Sequence, residues 1–235
     1  MAHRIGNTQP LILAIELSQR EGSVALGYGR AALAMRSFAS GGVNDEDALM
    51  PAIDEIVRSE GRSAREISAV VVSIGPGGFT GLRIAVTTAK LLSECLSIPI
   101  VAVPSALVAA AAAPGAGPRM VALASKRDSV WLSMVEGERG DVRLRGAPCN
   151  VASSGSVPNF DDVRMFLADA YVPEPFVAAA RRAGILIEPP SLRADACLEV
   201  GICMLNRGET ADCAALVPLY PREPEAVTLW RERNI

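Results

Sequence analysis

Along the first half of the chain, runs of apolar residues alternate with stretches of helical spacing. Leu11-Ile-Leu-Ala-Ile15 is a continuous apolar run closed by Glu16, the pattern of a strand covered on both faces in the middle of a sheet. Gly22 follows a polar turn, and Ser23 to Tyr28 and Ala32 to Phe38 read as two further strands joined tightly at Gly29-Arg30. Asn44 offers a helix N-cap with Asp45, Glu46 and Asp47 in the first turn, and Leu49, Ala52, Ile53, Ile56 and Val57 recur at helical spacing. These predict a helix over about Asp45 to Glu60. Pro51 either kinks it or sits in the first turn of a regular part that begins at Met50. Ile67 to Ile74 is another buried strand, Gly75 to Gly81 a glycine-rich loop, Leu82 to Leu96 a second helix, and Ile98 to Val103 a fifth strand.

The order β-β-β-α-β-α-β is that of a ribonuclease-H-like lobe, the unit duplicated in actin-like and sugar-kinase-like proteins. The predicted class is therefore α/β, with an actin-like two-lobed fold. Beyond Pro104 the pattern gives an Ala-rich helix (Ser105 to Ala113), a Pro/Gly connector (Pro114 to Pro118) and strands at Arg119 to Ser125 and Ser129 to Glu136. Gly137 to Asp161 reads as irregular and polar, and helices are expected near Asp161 to Ala170, Glu174 to Ala183 and Leu192 to Asn206. A first lobe over residues 1–104 and a more divergent second lobe over 105–235 are expected.

Composition narrows the function. Half of the 235 residues are apolar, 21% are charged and the formal charge is −3, so the chain is an ordinary globular one without a basic nucleic-acid footprint. The apolar stretch from Ile98 to Ala113 is broken by Pro99, Pro104 and Ser105, so no membrane span is predicted, and the N-terminus lacks a small-residue cleavage site. A cytoplasmic location is expected. His3 is the only histidine, which excludes His-dependent triads, HExxH zinc sites and two-His metal sites within this chain. The five cysteines (Cys95, Cys149, Cys197, Cys203 and Cys213) contain no C-x-x-C pair and read as ordinary buried or surface thiols.

The loop Gly75-Pro-Gly-Gly-Phe-Thr-Gly81 is where ligand chemistry would be sought. The dinucleotide fingerprint needs Gly where Thr80 stands, and the Walker pattern needs Lys-Ser/Thr where Leu82-Arg83 stands. The segment still supplies flexible backbone and a helix N-terminus, with Thr80 as a natural N-cap and Arg83 one turn in. It could hold an anion, or it could be a strand-to-helix turn whose glycines let backbones pack closely. Glu16 and Asp54 are acids that could orient water or magnesium, though a strand-end acid is more often a hydrogen-bonded turn residue. In the second helix Arg83, Thr87, Lys90 and Glu94 form the polar stripe, and the apolar arc that remains is wider than one sheet needs. The excess centres on Ile84, Thr88, Leu91 and Cys95, which meet either the first helix or another protein.

Gly75-Pro-Gly-Gly-Phe-Thr-Gly-Leu-Arg83, between a buried strand and an apolar helix, resembles the G-P-G-S-F-T-G-[LV]-R signature of the TsaB (YeaZ) family of the glycoprotease-like superfamily. Ile12-Leu-Ala-Ile-Glu16 resembles that family's first strand, Leu49-Met-Pro-Ala-Ile-Asp-Glu55 its first helix, and Pro218-Leu-Tyr-Pro-Arg-Glu-Pro-Glu-Ala226 its C-terminal P-x-Y-x-R-x-P-x-A segment. Glu16 stands for the family's usual Asp, Gly78 for its usual Ser and Asp45 where many members carry His, while Ala124-Ser-Lys-Arg-Asp128 replaces a D-A-R-x-G motif, so the likeness is to a divergent member.

The resemblance implies an actin-like fold and a non-catalytic scaffold in the bacterial machinery that forms N6-threonylcarbamoyladenosine at position 37 of tRNA. Its partners would be a TsaD-like catalytic subunit and a TsaE-like ATPase, with a homodimer when alone and tRNA met only through the complex. ATP and a metal would belong to the partner, because the H-x-x-x-H pair of the catalytic paralogue has no counterpart in this chain. The family's association pairs first-lobe helices across a pseudo-twofold axis, which would place Leu49, Ile53, Ile84, Thr87, Thr88, Leu91 and Cys95 at the interface. Two other classes remain open: a phosphotransferase or peptidase-like enzyme of the superfamily, and a stand-alone homodimeric binding protein.

Overall fold

The computed structural model describes residues 10–19, 21–29, 31–39, 48–125, 129–138, 140–152, 154–155, 157–221 and 230. Strands β1 (Leu11–Glu16), β2 (Glu21–Tyr28), β3 (Ala31–Ala39), β4 (Ile67–Gly75) and β5 (Ile100–Pro104) form a first sheet in the order β3-β2-β1-β4-β5. The chain meanders antiparallel through β1, β2 and β3 and then pairs β4 and β5 parallel to β1. The all-apolar run of β1 lies at the centre, buried along its whole length, because both faces of this strand are covered.

Helices α1 (Leu49–Ser59) and α2 (Phe79–Leu96) cover one face of this sheet. The predicted stripe of α1 is its buried side: Leu49, Ala52, Ile53, Ile56 and Val57 all face the core. The helix begins at Leu49, which places Pro51 in its first turn, where a missing N–H costs nothing. The N-cap expected at Asn44 and the acids Asp45 to Asp47 lie outside the described residues, as do His3, residues 126–128 and 222–226. Helix α2 starts three residues earlier than its periodicity suggests, with Gly78 in the N-cap position and Thr80 already inside the helix. Thr80 is therefore not the cap.

The other face of the first sheet meets α3 (Ser105–Ala112) and α5 (Ala194–Asn206), and the same two helices pack on the second sheet. A single core runs through this central helical layer, from Ile12, Val71 and Val101 on one side to Val121, Val135 and Leu167 on the other. Small residues set its thickness. A Cβ on Gly201 of α5 would lie inside the Val71 side chain of β4, so helix and strand approach closely only with glycine there.

The second sheet is built from β6 (Arg119–Ser125), β7 (Ser129–Glu138), β8 (Asp141–Leu144), β9 (Cys149–Ala152), β10 (Met165–Ala168) and β11 (Leu186–Glu188). Its path is β11-β10-β6-β7-β8, with β9 also paired to β7. Helix α4 (Glu174–Arg182) covers its outer face through Phe176 and Ala180. Two expectations are corrected here. The helix expected near 161–170 is strand β10, held parallel between β6 and β11, and the supposedly irregular stretch from 137 contains β8 and β9. After α5, residues 211–219 return to the first sheet. Ala211 bridges to Ile100, and the Leu219 N–H donates to the Ile74 carbonyl.

Candidate functional site

At the carboxyl ends of β1, β4 and β5, where open α/β sheets commonly hold ligands, the chain places a buried polar cluster. The Glu16 side chain points to the α5 side and is fully buried, with Oε1 accepting a 2.6 Å hydrogen bond from the Ser18 N–H. Ser73 at the end of β4 and Ser105 at the start of α3 share a 3.0 Å hydroxyl hydrogen bond. Glu16 Oε2 and the Ser18 hydroxyl are buried without a hydrogen-bond partner. Burial pushes the Glu16 carboxyl above its ordinary range, against the pull of Ser18 and Ser73. Burial, with Glu16 nearby, pushes the Cys197 thiol of α5 well above its own. Among the described residues, no group of three His, Cys, Asp or Glu is arranged to hold a metal ion. Asp54 lies elsewhere, on the outer side of α1, paired with Arg58.

The signature loop lies directly above this cluster and closes on the chain's own backbone. The Gly78 N–H donates to the Ser18 carbonyl at 2.7 Å. A Cβ on Gly77 would overlap Ser18 O, and one on Gly81 would overlap Leu17 O, both well inside van der Waals contact. Gly75 has φ +105, in the region that favours glycine, and a Cβ there would meet Leu82. Pro76 is buried while Gly78, Phe79 and Thr80 are exposed. Of the two readings of this loop, close backbone packing is the one realised: the concave side of the loop holds residues 17–18.

The outer side of the same region is open. Leu91 is 61% exposed and Phe79 52% exposed, and Thr87 and Cys95 are exposed with them, while Ile84 and Thr88 are half-buried. Leu49 (3%) and Ile53 (4%), also expected at an interface, are packed inside their own lobe. Their periodic stripe is fully used by the core, so they are removed from the surface. The Arg83 guanidinium stacks 3.6 Å from the Phe79 ring centroid, and its Nε donates to the Tyr220 hydroxyl at 3.1 Å. Phe79 and Tyr220 are themselves in ring contact. Lys90 donates to the Ala214 and Leu216 carbonyls, each at 3.2 Å, and so straps residues 211–220 along α2. The signature loop and the C-terminal P-x-Y segment thus meet at one point. Sequence reasoning identified both motifs but gave no sign that they touch.

A five-stranded sheet of order 3-2-1-4-5 with a second mixed sheet across a shared helical layer defines an actin-like α/β protein. Two solved structures from Pseudomonas aeruginosa have the same fold: an uncharacterized protein with similarity to peptidase YEAZ (TM-score 0.78, 23% identity, covering 91% of this chain and 100% of that one) and YeaZ (TM-score 0.75, 23% identity, covering 90% and 99%). The family model described as TsaD, tRNA N6-adenosine threonylcarbamoyltransferase, matches residues 44–152. Locally the likeness is stronger. The tRNA threonylcarbamoyladenosine biosynthesis protein TsaB of Bacillus subtilis is 45% identical over 56 residues, 24% of each chain. That of Buchnera aphidicola subsp. Acyrthosiphon pisum is 42% identical over 55 residues, 23% of this chain and 25% of that one. The matched stretch thus spans about a quarter of the length of these curated relatives. Over these stretches the chain is similar to TsaB (YeaZ) proteins.

Among the described residues, no helix is long and apolar enough to cross a membrane.

Proposed function

We propose that the chain is a non-catalytic scaffold and activator in the formation of N6-threonylcarbamoyladenosine at position 37 of tRNA. It acts through a TsaD-type catalytic subunit, a TsaE-type ATPase joins the complex, and tRNA is met only through the assembly. Alone, the chain forms a homodimer. The observation that carries the non-catalytic reading is the closure of the signature loop. Gly77, Gly78 and Gly81 lie against the backbone of Leu17 and Ser18. The full burial of Glu16, which pushes its carboxyl above the ordinary range, adds to it. The docking reading draws on the open side of α2. Exposed Leu91 and Phe79 flank a cation that no acid of the described residues neutralises.

Reconstitution with purified subunits tests this. The chain alone turns over no ATP and modifies no tRNA, and omitting it from a mixture with TsaD- and TsaE-type subunits abolishes threonylcarbamoylation. Metal-dependent ATP hydrolysis by the isolated chain, lost in Glu16→Ala, would replace this reading with that of a phosphotransferase.

A further inference from the structure

We infer that the open edge of the first sheet, strand β3, receives an extended segment of another protein as an added strand, and that the cavity beside Ala32 takes a lysine or arginine side chain of that segment against Glu199. Helix α2 packs on β1, β4 and β5, so this site lies at the far edge of the sheet and is independent of the docking reading above.

The two edges of this sheet differ. At the β5 edge Ala211 bridges to Ile100. At the other edge, among the described residues, β3 pairs with β2 alone, and its nine residues are all exposed or half-buried. Native edge strands are commonly blunted by proline, by charge or by shortness. Strand β3 has no proline, and its one charge, Arg36, is turned to α1, where Glu55 holds it at 2.7 Å. A bulge at Leu33 interrupts the pairing with β2 between Ala32 and Ala34 and leaves Ala34 to Ala39 as regular edge. The backbone N–H and C=O groups on the outer side of that run can pair with a new strand.

The register fixes which side chains of the edge lie beside the cavity. Gly27, Ala25 and Ser23 of β2 face α5: a Cβ on Gly27 would overlap the Leu198 side chain, Ala25 belongs to the central core, and the Ser23 hydroxyl accepts from the Ala194 N–H. Their partners Ala32, Met35 and Ser37 therefore lie on that side of β3. Beside Ala32 a cavity of about 370 Å³ is walled by Ala111 and Ala196 and by Arg193, Asp195 and Glu199. Alternate side chains of an added strand fall on this face. The charge of the cavity selects among them. Arg193 and Asp195 neutralise each other through two hydrogen bonds, Nε to Oδ1 at 3.1 Å and Nη2 to Oδ2 at 2.6 Å. Glu199 is half-buried and has no ion-pair partner among the described residues. Its negative charge is left uncompensated, and the alanine walls suit the methylene stem of a long basic side chain.

A random peptide display library panned against the full chain and against Glu199→Gln is the test. Peptides enriched on the wild type carry alternating apolar residues and a lysine or arginine at one fixed position. In fluorescence anisotropy, replacing that basic residue by glutamine weakens binding to the wild type about tenfold and has no effect on binding to Glu199→Gln, whose thermal melt is unchanged because the substitution is isosteric. Main-chain pairing is read separately, with two versions of the peptide N-methylated at alternate residues. Only one set of amides faces β3, so one version loses binding and the other keeps it. A library that enriches no such sequence, a basic preference that survives Glu199→Gln, or two N-methylated versions that bind alike would overturn the inference. The TsaD-type subunit binds equally well with and without the peptide; competition between them would place the peptide on α2 and would also overturn it.

Discussion

The two sides of α2 present opposite chemistry within a single element. On the inner side Leu82, Ala85, Val86 and Ala89 are fully packed, and the glycines that lead into the helix rest on the backbone of Leu17 and Ser18. On the outer side Leu91 stands in solvent, and Arg83 is braced by Phe79 and Tyr220, with no carboxylate of the described residues paired to it. In a phosphate-binding loop the inner side would be open, with backbone N–H groups turned to a ligand, and the outer side would be ordinary polar surface. Here the chain fills the inner side and leaves apolar surface on the outer one. Residues that form the most distinctive motif of the sequence thus have a packing role on one side and an outward-facing one on the other.

Substitutions can break this contrast. The largest effect is expected from Gly77→Val or Gly81→Val, because the new Cβ would overlap a backbone carbonyl that has no flexible end to yield. A loss of about 3 kcal/mol or more, read in a denaturant melt, follows from forced overpacking at such a site. A melt unchanged by either substitution would mean that the inner side is open after all. A smaller, pH-dependent effect is expected at Glu16. An acid whose folded pKa lies above its unfolded value binds more protons when folded, so its contribution is fully present below the unfolded value near 4.5 and is lost as pH rises through the folded one. Glu16→Gln should flatten this decline and melt higher than wild type at about pH 8, by a few degrees. An identical pH profile in the two proteins would show the carboxylate to be solvated. The smallest effect belongs to Thr80→Ala. Thr80 is exposed and makes no capping bond, so the change should stay within about 0.5 kcal/mol, where a true cap would cost about 1 kcal/mol.

How far the sequence foretells these features depends on how local their causes are. The first sheet is legible because β1 and β4 are buried on both faces, so each carries a continuous apolar run, Leu11 to Ile15 and Ala69 to Val72. In the second sheet β6 and β7 are legible and the rest is not, because β8 to β11 are only three or four residues long. Met165-Phe-Leu-Ala168 favours a helix as readily as a strand, and pairing with β6 and β11 decides the matter. The apolar arc of α2 is wider than its own core needs, and Leu91 on it is exposed. Leu49 and Ile53, which the family resemblance placed at an interface, are instead buried in their own core, whose needs the α1 stripe fills. The closure of the glycine loop is invisible in the motif, since it depends on where residues 17–18 run after β1. The meeting of Arg83 with Tyr220 likewise requires the return of the strap from the far side of the molecule.

Scaffolding by this chain depends on the outer face of α2 being a working surface. The most direct measurement is the affinity of Leu91→Glu for a second copy and for the TsaD-type subunit, taken beside its thermal melt. We predict a melt within about 0.5 kcal/mol of wild type, because the side chain is already 61% exposed, and association weaker by about 2–4 kcal/mol, some 30- to 1000-fold. A folded Leu91→Glu chain that binds both partners with wild-type affinity would contradict it.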